Sequence, residues 1–565
     1  MSARVPRWVL VVLGIAAVAG TAMMFAGGWF GGVTWDEKTH VLMLQTFLEQ
    51  GWNVTPDALL NGSPDPAYIW GVYVYGPVGE LVGHLVNTIT GLEPWGTLSY
   101  DSAAYVGRHI AIGLMALAGT AAAATSIWLI LRSWAWALVG AAIVATTPLW
   151  VGHGMFNIKD IPVAAGYTIA TLGIVALCHA DYRFRPVIRV QALASLVIGT
   201  VLASGTREAM GVPVAAGVVL ALILLWFAQW RTSDATFGVA TREALRRLVE
   251  GVGAMVVSYL LLVLIYPKAF INPVVLAWQA LVVSARFPFD EAVLTSGTWM
   301  DQPPPWTYLP HWFLAQLPVL IIVGAGLFVA CWLVVAVRTV IGRPSWLDAH
   351  QWAMTGAVLV QMTMMPALAI ALRSNMYNGS RQFLFVVPAA AILATVAIWS
   401  VLTWARSSAR ARLWSGIVWA IVAIGVLVPL IGQSTLFPYN YVFMNAPTAA
   451  QSLEGRWPTD YWRFSSKELM ARLPATGPES CGYEQGRSGE QHPCSIEPMF
   501  KPFLSLRGSE AKPGELGPGQ YWFVRENQGT TDLPAGCTMH DEITRRLFGQ
   551  QVIIGQIAVC DGAAS

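Results

Sequence analysis

The sequence has few charged residues for its length. Of 565 residues, only 12% are Asp, Glu, Lys or Arg, whereas 55% are hydrophobic. A soluble domain carries about 25% charged residues, so this chain has too little polar surface to cover itself in water. The formal net charge is +2, and the sequence carries neither a basic run nor a nucleic-acid recognition motif. We therefore predict a membrane protein that has no nucleic-acid partner.

The sequence also lacks the short motifs of several well-understood sites. It contains no HxxxH or HExxH pair for zinc, no P-loop, no GxSxG elbow and no dinucleotide-binding fingerprint. These absences argue against nucleotide-driven, serine-hydrolase and zinc-protease chemistry. Any catalytic site has to be sought among scattered polar residues instead.

Long apolar stretches dominate what is present. A stretch of about 18 or more such residues is long enough to cross a bilayer as a helix. About eleven occur, near 8–30, 105–131, 134–151, 161–178, 190–206, 210–229, 248–266, 317–337, 352–372, 383–404 and 414–433. The first is too long for a signal peptide and has no small-residue cleavage site, so we interpret it as a retained helix.

Arginines indicate the orientation of these spans, because short cytoplasmic loops are enriched in Lys and Arg. Each cluster falls on the side of the N-terminus: Arg4 and Arg7; Arg132; Arg183, Arg185 and Arg189; Arg231, Arg242, Arg246 and Arg247; Arg338 and Arg343; Arg406, Arg410 and Arg412. We predict a cytoplasmic N-terminus, and the odd number of spans then places the C-terminal tail outside.

The predicted organisation is a transmembrane domain over 1–433, with large outer loops at about 31–104 and 267–316, and an extracytoplasmic domain over 434–565. The tail contains short apolar runs such as QYWFV and QVIIGQIAV, which suggest a small α/β or mostly β domain. It also holds four of the six cysteines: Cys481, Cys494, Cys537 and Cys560. Two disulfides are expected outside the cell. Proximity in sequence favours 481–494 and 537–560 among the three connectivities, and free thiols are the alternative.

Acidic residues stand at the outer ends of two spans, where ionisable groups are costly and by default mark a site. Asp36 and Glu37 follow the first span and open an amphipathic stretch, DEKTHVLMLQTFLEQGW. Asp160 follows Asn157 in the tight loop before the fourth span. The alternative for Asp36 and Asp160 is that each caps a helix, which Asp does well.

Cations occur on three outer loops of the same side. They are Lys159, Arg207 and Arg381. Arg binds phosphate through two parallel hydrogen bonds and Lys binds it as a point charge. The pattern suggests a site for a phosphate-bearing substrate, and contact with lipid headgroups is the alternative for any single arginine.

The order of these features resembles the GT-C membrane glycosyltransferases, specifically the family 39-like branch of protein O-mannosyltransferases and aminoarabinose transferases. The resemblance covers about residues 1–470. It lies in the Asp-Glu pair after span one, the Asn-x-Lys-Asp loop after span three, Tyr75-Gly76-Pro77, Arg108, YPKAFINP (266–273), TYLPHWFLAQLP (307–318), YNGSRQFLFVVP (377–388), FPYNYVFMN (437–445) and Asp460-Tyr461-Trp462.

The resemblance implies a GT-C-like fold and a sugar donor on a polyprenyl phosphate, from which an outer-face acceptor takes the sugar with inversion. It implies Asp36 as the general base, with Glu37 and Asp160 assisting or, with Asp36, holding a divalent metal such as Mg or Mn if one is used. Neighbouring residues point in different directions on a helix, so we expect one base rather than an Asp36–Glu37 dyad. Lys159, Arg207 and Arg381 would neutralise the departing phosphate. Further substrate contacts are assigned to Tyr75, Arg108, Asn157, Lys268, Tyr377 and Asn378.

The chain also departs from that family. Eukaryotic O-mannosyltransferases carry a lumenal trefoil domain in the second large loop, whereas here the soluble mass lies at the C-terminus. The acceptor is therefore left open among a glycan, a lipid and a protein, and the composition suggests a bacterial plasma membrane. Two alternatives remain: a non-catalytic transporter or flippase of lipid-linked sugars, and a membrane scaffold whose tail performs the function.

Overall fold

The chain folds into a helical bundle with a small sheet domain after its last long helix. The computed structural model describes residues 4–53, 74–92, 102–232, 235–287, 289, 291–343, 345–406, 408–474, 476–478, 480–485, 490–494, 519–527, 529 and 532–561. Within these ranges, ten helices are long and apolar enough to cross a membrane. The protein is thus a polytopic helical membrane protein, as its composition predicts.

The helices of the bundle follow one another with short connections. They are α1 (Arg7–Phe30), α2 (Trp35–Gln50), α3 (Val78–Thr90), α4 (Ser102–Leu131), α5 (Trp134–Ala145), α6 (Pro148–His153), α7 (Asp160–Cys178), α8 (Pro186–Thr206), α9 (Gly211–Thr232), α10 (Phe237–Ile265), α11 (Pro267–Phe270), α12 (Pro273–Ala285), α13 (Tyr308–Gln316), α14 (Val319–Val340), α15 (Ala349–Ala371), α16 (Val386–Ala405) and α17 (Ala411–Leu436). The last of these extends past residue 433, where the sequence placed the domain boundary.

One of the eleven predicted spans is not a single helix. The stretch 134–151 forms α5, which has only 12 residues, followed by α6 after a break at Thr146 and Thr147. Pro148 lacks the amide hydrogen needed to continue α5. The exposed carbonyl of Thr146 instead accepts a hydrogen bond from Gln433 Nε2 at 3.0 Å, which is how a broken helix is tolerated inside a bundle.

Helix α10 begins at Phe237, well before the apolar stretch that starts at 248. Its first turns are polar but still helical, because acidic and basic residues pair one turn apart. Arg247 lies 2.9 Å from Glu243, and Arg246 lies 3.4 Å from Glu250. Charged residues that the hydropathy pattern assigns to a loop therefore extend the helix.

Helices α7 and α8 pack closely because glycines face each other across the contact. A side chain at Gly166 would lie 2.5 Å from the backbone nitrogen of Ala203, and one at Gly199 would lie 2.2 Å from that of Ala170. The two helices run antiparallel, so the first residue of α7, Asp160, and the residue after α8, Arg207, meet at the same end.

The tail forms a five-stranded mixed sheet, as expected from its short apolar runs. Its strands are β3 (Cys481–Gln485), β4 (Glu490–Pro493), β5 (Gln520–Glu526), β6 (Cys537–Leu547) and β7 (Gln550–Asp561), after a hairpin of β1 (Val293–Thr295) and β2 (Thr298–Met300) in the second outer loop. The order is β4-β3-β5-β7-β6, and only β3 and β5 pair in parallel. The disulfides join Cys481 to Cys494 and Cys537 to Cys560, which confirms the predicted pairing.

Candidate functional site

The N-terminus of α2 is held by a capping box. Thr34 is the cap residue, and its backbone nitrogen donates to Glu37 Oε2 at 2.7 Å. The other oxygen of Glu37 lies 2.6 Å from His109 Nε2, and His109 Nδ1 lies 2.8 Å from the Gly28 carbonyl oxygen. Glu37 is fully buried. It therefore joins α1, α2 and α4, and Asp36 is not the cap residue.

Asp36 instead faces Lys159. The two side chains form an ion pair of 2.7 Å, in which Lys159 is 4% exposed and Asp36 is 31% exposed. Burial acts to raise the pKa of Asp36, but the charges of Lys159 and Arg381 outweigh it and lower that pKa to about 2. Although burial opposes the charged form of Lys159, the Asp36 carboxylate raises its pKa. Both groups are therefore charged at neutral pH.

Asp160 is surrounded by hydrogen-bond donors. Arg381 Nη1 lies 2.9 Å from one carboxylate oxygen and Arg207 Nη2 lies 3.2 Å from the other. Asn157 Nδ2 adds a hydrogen bond of 3.1 Å, and Asn157 Oδ1 accepts one from the Asp160 backbone nitrogen at 2.9 Å. Asp160 thus orients two arginines, and Asn157, rather than Asp160, satisfies the start of α7.

The backbone of the first outer loop completes this arrangement. Tyr75 forms an isolated antiparallel bridge with Arg207, and the Gly76 nitrogen donates to the Thr206 carbonyl at 3.1 Å. The Tyr75 ring consequently lies near two cations, 5.2 Å from Lys159 Nζ and 5.8 Å from the Arg207 guanidinium carbon. An aromatic face at this distance stabilises a cation.

These groups border one cavity of about 370 Å³. Its floor holds two carboxylates, Asp36 and Asp160, and three cations, Lys159, Arg207 and Arg381, which leaves an excess of one positive charge. A further acid lines the cavity but is exposed: Glu291. A concave site with this charge suits an anion.

The walls of the cavity are mostly aromatic. The Phe289 and Tyr377 rings stack at 3.9 Å between centroids, and the Arg381 guanidinium carbon lies 4.5 Å from the Trp462 ring centroid. The remaining aromatic lining residues are Trp35, Tyr75, Phe287 and Tyr461. Flat apolar walls with a few charged groups are typical of sites for small polar ligands.

The structure brings most of the predicted site residues together. Asp36, Tyr75, Lys159, Tyr377, Asn378 and Arg381 line the cavity. Directly behind this lining lie Asn157, Asp160 and Arg207.

Three predicted residues lie elsewhere. Glu37 is directed toward His109. Arg108 is fully buried, with its Nη1 3.7 Å from Glu80 Oε2. Lys268 Nζ donates to the Gln50 carbonyl at 2.6 Å, at the far end of α2.

The described residues do not fit a metal centre well. They include no group of three His, Cys, Asp or Glu side chains placed to share an ion. The two acids considered for this role, Asp36 and Asp160, are each paired with cations that would compete with a metal. We derive no metal-dependent step.

The tail closes one side of the cavity. Arg463 is fully buried, binds the Glu526 carboxylate through Nε and Nη2 at 2.8 Å each, and lies 3.4 Å from the Trp35 ring centroid. Asp460 accepts hydrogen bonds from the Phe464 and Ser465 backbone nitrogens at 3.0 Å each. The wall residues Tyr461 and Trp462 lie between these anchors, so the sheet domain positions part of the cavity.

The search of protein-family models and the search of curated proteins give no match. Among solved structures, the chain is similar to the archaeal oligosaccharyltransferase AglB from Archaeoglobus fulgidus, solved in complex with an inhibitory peptide and a dolichol-phosphate, with 13% identity and a TM-score of 0.46 over 83% of this chain. The chain spans 58% of that protein. It is also similar to ArnT from Cupriavidus metallidurans, solved bound to undecaprenyl phosphate, with 15% identity and a TM-score of 0.45 over 98% of both chains.

Proposed function

We propose that this protein is a GT-C-type membrane glycosyltransferase, which moves a sugar from a polyprenyl-phosphate donor to an acceptor on the extracytoplasmic side of a bacterial plasma membrane. The observation that carries the proposal is the shared cavity, in which a carboxylate, an excess of positive charge and aromatic walls lie at one end of a membrane bundle. A lipid-linked sugar phosphate has a matching feature for each: an acceptor proton to remove, a phosphate and a sugar ring.

In the proposed reaction, Asp36 accepts the proton of the acceptor hydroxyl. The acceptor oxygen forms a bond to the anomeric carbon, and the bond from that carbon to the phosphate oxygen breaks. The electron pair leaves with the phosphate, which changes from a diester to a monoester and gains negative charge. A single displacement of this kind inverts the anomeric carbon.

The cations account for the charge that develops on the leaving group. Lys159 and Arg381 line the cavity, and Arg207 lies behind Tyr75. Preorganised positive groups lower the barrier when charge develops next to them in a site with little water. Asp160 keeps the two arginines in place, since each already makes a direct ion pair with it.

Lys159 has a double role in this proposal. In the described state it neutralises Asp36 and holds the pKa of that carboxyl at about 2, which makes Asp36 a weak base. A donor phosphate beside Lys159 shares the ammonium and weakens the ion pair. The pKa of Asp36 then rises toward its ordinary value, so base strength increases only when the donor is bound.

The test uses purified protein in lipid nanodiscs, a panel of radiolabelled polyprenyl-phosphate hexoses and pentoses, and a cell-envelope extract as acceptor. Asp36→Asn keeps the shape of the side chain but removes the base, so we expect a loss of about 10²- to 10⁴-fold in transfer. Glu291→Gln is the matched control, because it removes a carboxylate from the exposed rim of the same cavity and should retain activity.

Wild-type transfer by Asp36→Asn with unchanged elution and thermal stability would remove Asp36 from the mechanism. A transporter gives a different result in sealed vesicles. There the labelled donor would cross the membrane without being consumed, in the wild type and in Asp36→Asn alike.

A further inference from the structure

A second cavity, of about 730 Å³, lies at the opposite end of the bundle. It forms where the 3-10 turn Ala180–Arg183 meets the end of α9 and the beginnings of α10 and α15. Arg247 of this cavity donates to the Leu177 carbonyl in the last turn of α7 at 2.7 Å. Since α7 begins at Asp160, the length of that helix separates the two cavities.

We call this second space the basic cavity, because four arginines line it. They are Arg183, Arg242, Arg246 and Arg247. Two of them already have carboxylate partners: Arg247 pairs with Glu243 at 2.9 Å and Arg246 with Glu250 at 3.4 Å. Arg247 is also held by the backbone carbonyls of α7, so it is part of the frame rather than a mobile ligand-binding group.

The other two arginines are available to a ligand. Neither Arg183 nor Arg242 has a carboxylate within 4.0 Å in the described part of the chain, and both are exposed. The single acid that lines the basic cavity, Glu243, is neutralised by Arg247. The cavity therefore carries two positive charges that no neighbouring side chain balances.

Apolar groups share the same wall. Phe184 and Val239 line the basic cavity and are 77% and 60% exposed. Beside them, the rings of Trp226, Trp230 and Phe237 pack against one another, with centroids 5.5 to 5.8 Å apart. Tryptophan-rich clusters at the ends of spans are typical of the headgroup level of a membrane. A water-soluble anion needs no such wall, whereas a lipid does.

We propose that the basic cavity binds an anionic phospholipid, whose phosphate lies between Arg183 and Arg242 and whose acyl chains follow Phe184 and Val239. Basic pockets between helix ends on the cytoplasmic side suit such headgroups. The guanidinium groups recognise the phosphate, and the apolar side chains distinguish a membrane lipid from a free phosphate. This site is separate from the cavity of Asp36 and does not depend on the proposed transferase activity.

Lipid binding is tested by native mass spectrometry and thermal unfolding of the purified full-length protein in neutral detergent. Phosphatidylglycerol should be retained and should raise the unfolding temperature, whereas phosphatidylcholine and inorganic phosphate should not. The variant Arg183→Gln/Arg242→Gln should lower the apparent affinity for phosphatidylglycerol about 10- to 30-fold, since each arginine near an anionic surface contributes on the order of 1 kcal/mol.

The matched control is Arg410→Gln/Arg412→Gln, which removes the same charge from exposed residues at the same end of the bundle. It should retain wild-type affinity. Equal losses in the two variants would show general surface attraction and overturn the proposal. A stabilisation by inorganic phosphate equal to that by phosphatidylglycerol would show a soluble-anion site and would overturn it as well.

Discussion

The two ends of the bundle use cations in different ways. At the Asp36 end, Lys159 and Arg381 are 4% and 2% exposed and each is paired with a carboxylate. At the opposite end, arginines such as Arg185 and Arg189 are 68% and 47% exposed. A buried ion pair is costly to assemble and costly to break, whereas an exposed pair contributes little. Buried, paired cations thus indicate a built site, and exposed ones indicate topology.

The strongest test of this difference is one Arg→Gln change at each end. Arg381→Gln leaves Asp160 with a single arginine, so we expect a loss of about 3 kcal/mol in stability and about 10²-fold in transfer. Arg410→Gln, at an exposed position, should change stability by less than about 0.5 kcal/mol. Thermal unfolding in detergent and the transfer assay measure both effects, and equal unfolding temperatures would contradict the comparison.

A second test removes the cation next to the base. In the wild type the pKa of Asp36 is about 2, so protonation of this carboxyl should not reduce kcat/KM at any pH above about 4. In Lys159→Met, burial is no longer opposed by the nearest positive charge and the pKa of Asp36 rises. Transfer should then fall as the pH drops through the raised value, in addition to a uniform loss of about 10²-fold.

The pH dependence of kcat/KM for the donor checks this expectation. Lys159→Arg keeps the charge and should restore the flat acid side. A Lys159→Met profile with the wild-type shape would show that Lys159 does not set the pKa of Asp36.

The smallest expected effect concerns the tail. Arg463 contacts neither Asp36 nor Lys159 but lies against Trp35 and binds Glu526. Glu526→Gln keeps the shape of the partner and removes its charge, so Arg463 should hold Trp35 less firmly. We expect kcat to fall about tenfold with little change in KM for the donor. A change in stability alone, with normal kcat, would assign the pair a purely structural role.

Sequence reasoning succeeded where a single segment decides the outcome. The apolar stretches predicted ten long helices and one broken crossing, and the spacing of Cys481, Cys494, Cys537 and Cys560 favoured the observed disulfides. It also suggested that loop residues of one side converge, and Asp160 and Arg381 do so across 221 positions. Their direct pairing was beyond reach, because it depends on how α7 and α16 pack.

Other features were missed for identifiable reasons. Thr34-x-x-Glu37 is a capping-box pattern visible in the sequence, and it would have assigned Glu37 to the helix end rather than to the site. Phe287 and Phe289 form part of the cavity wall, but the search for a site followed charges and not aromatic pairs. Only the fold shows that these rings face Tyr377 rather than lipid.

The contact between the two ends of the chain has a consequence for biosynthesis. The Gly32 nitrogen donates to the Phe464 carbonyl at 3.0 Å, and the Trp35 nitrogen donates to the Trp462 carbonyl at 3.3 Å. Residues that leave the ribosome first therefore wait for some of the last to be translated before their surroundings are complete. A nascent chain that has inserted all its helices still lacks one wall of its cavity, and it stays incomplete until the exported sheet has folded against the bundle.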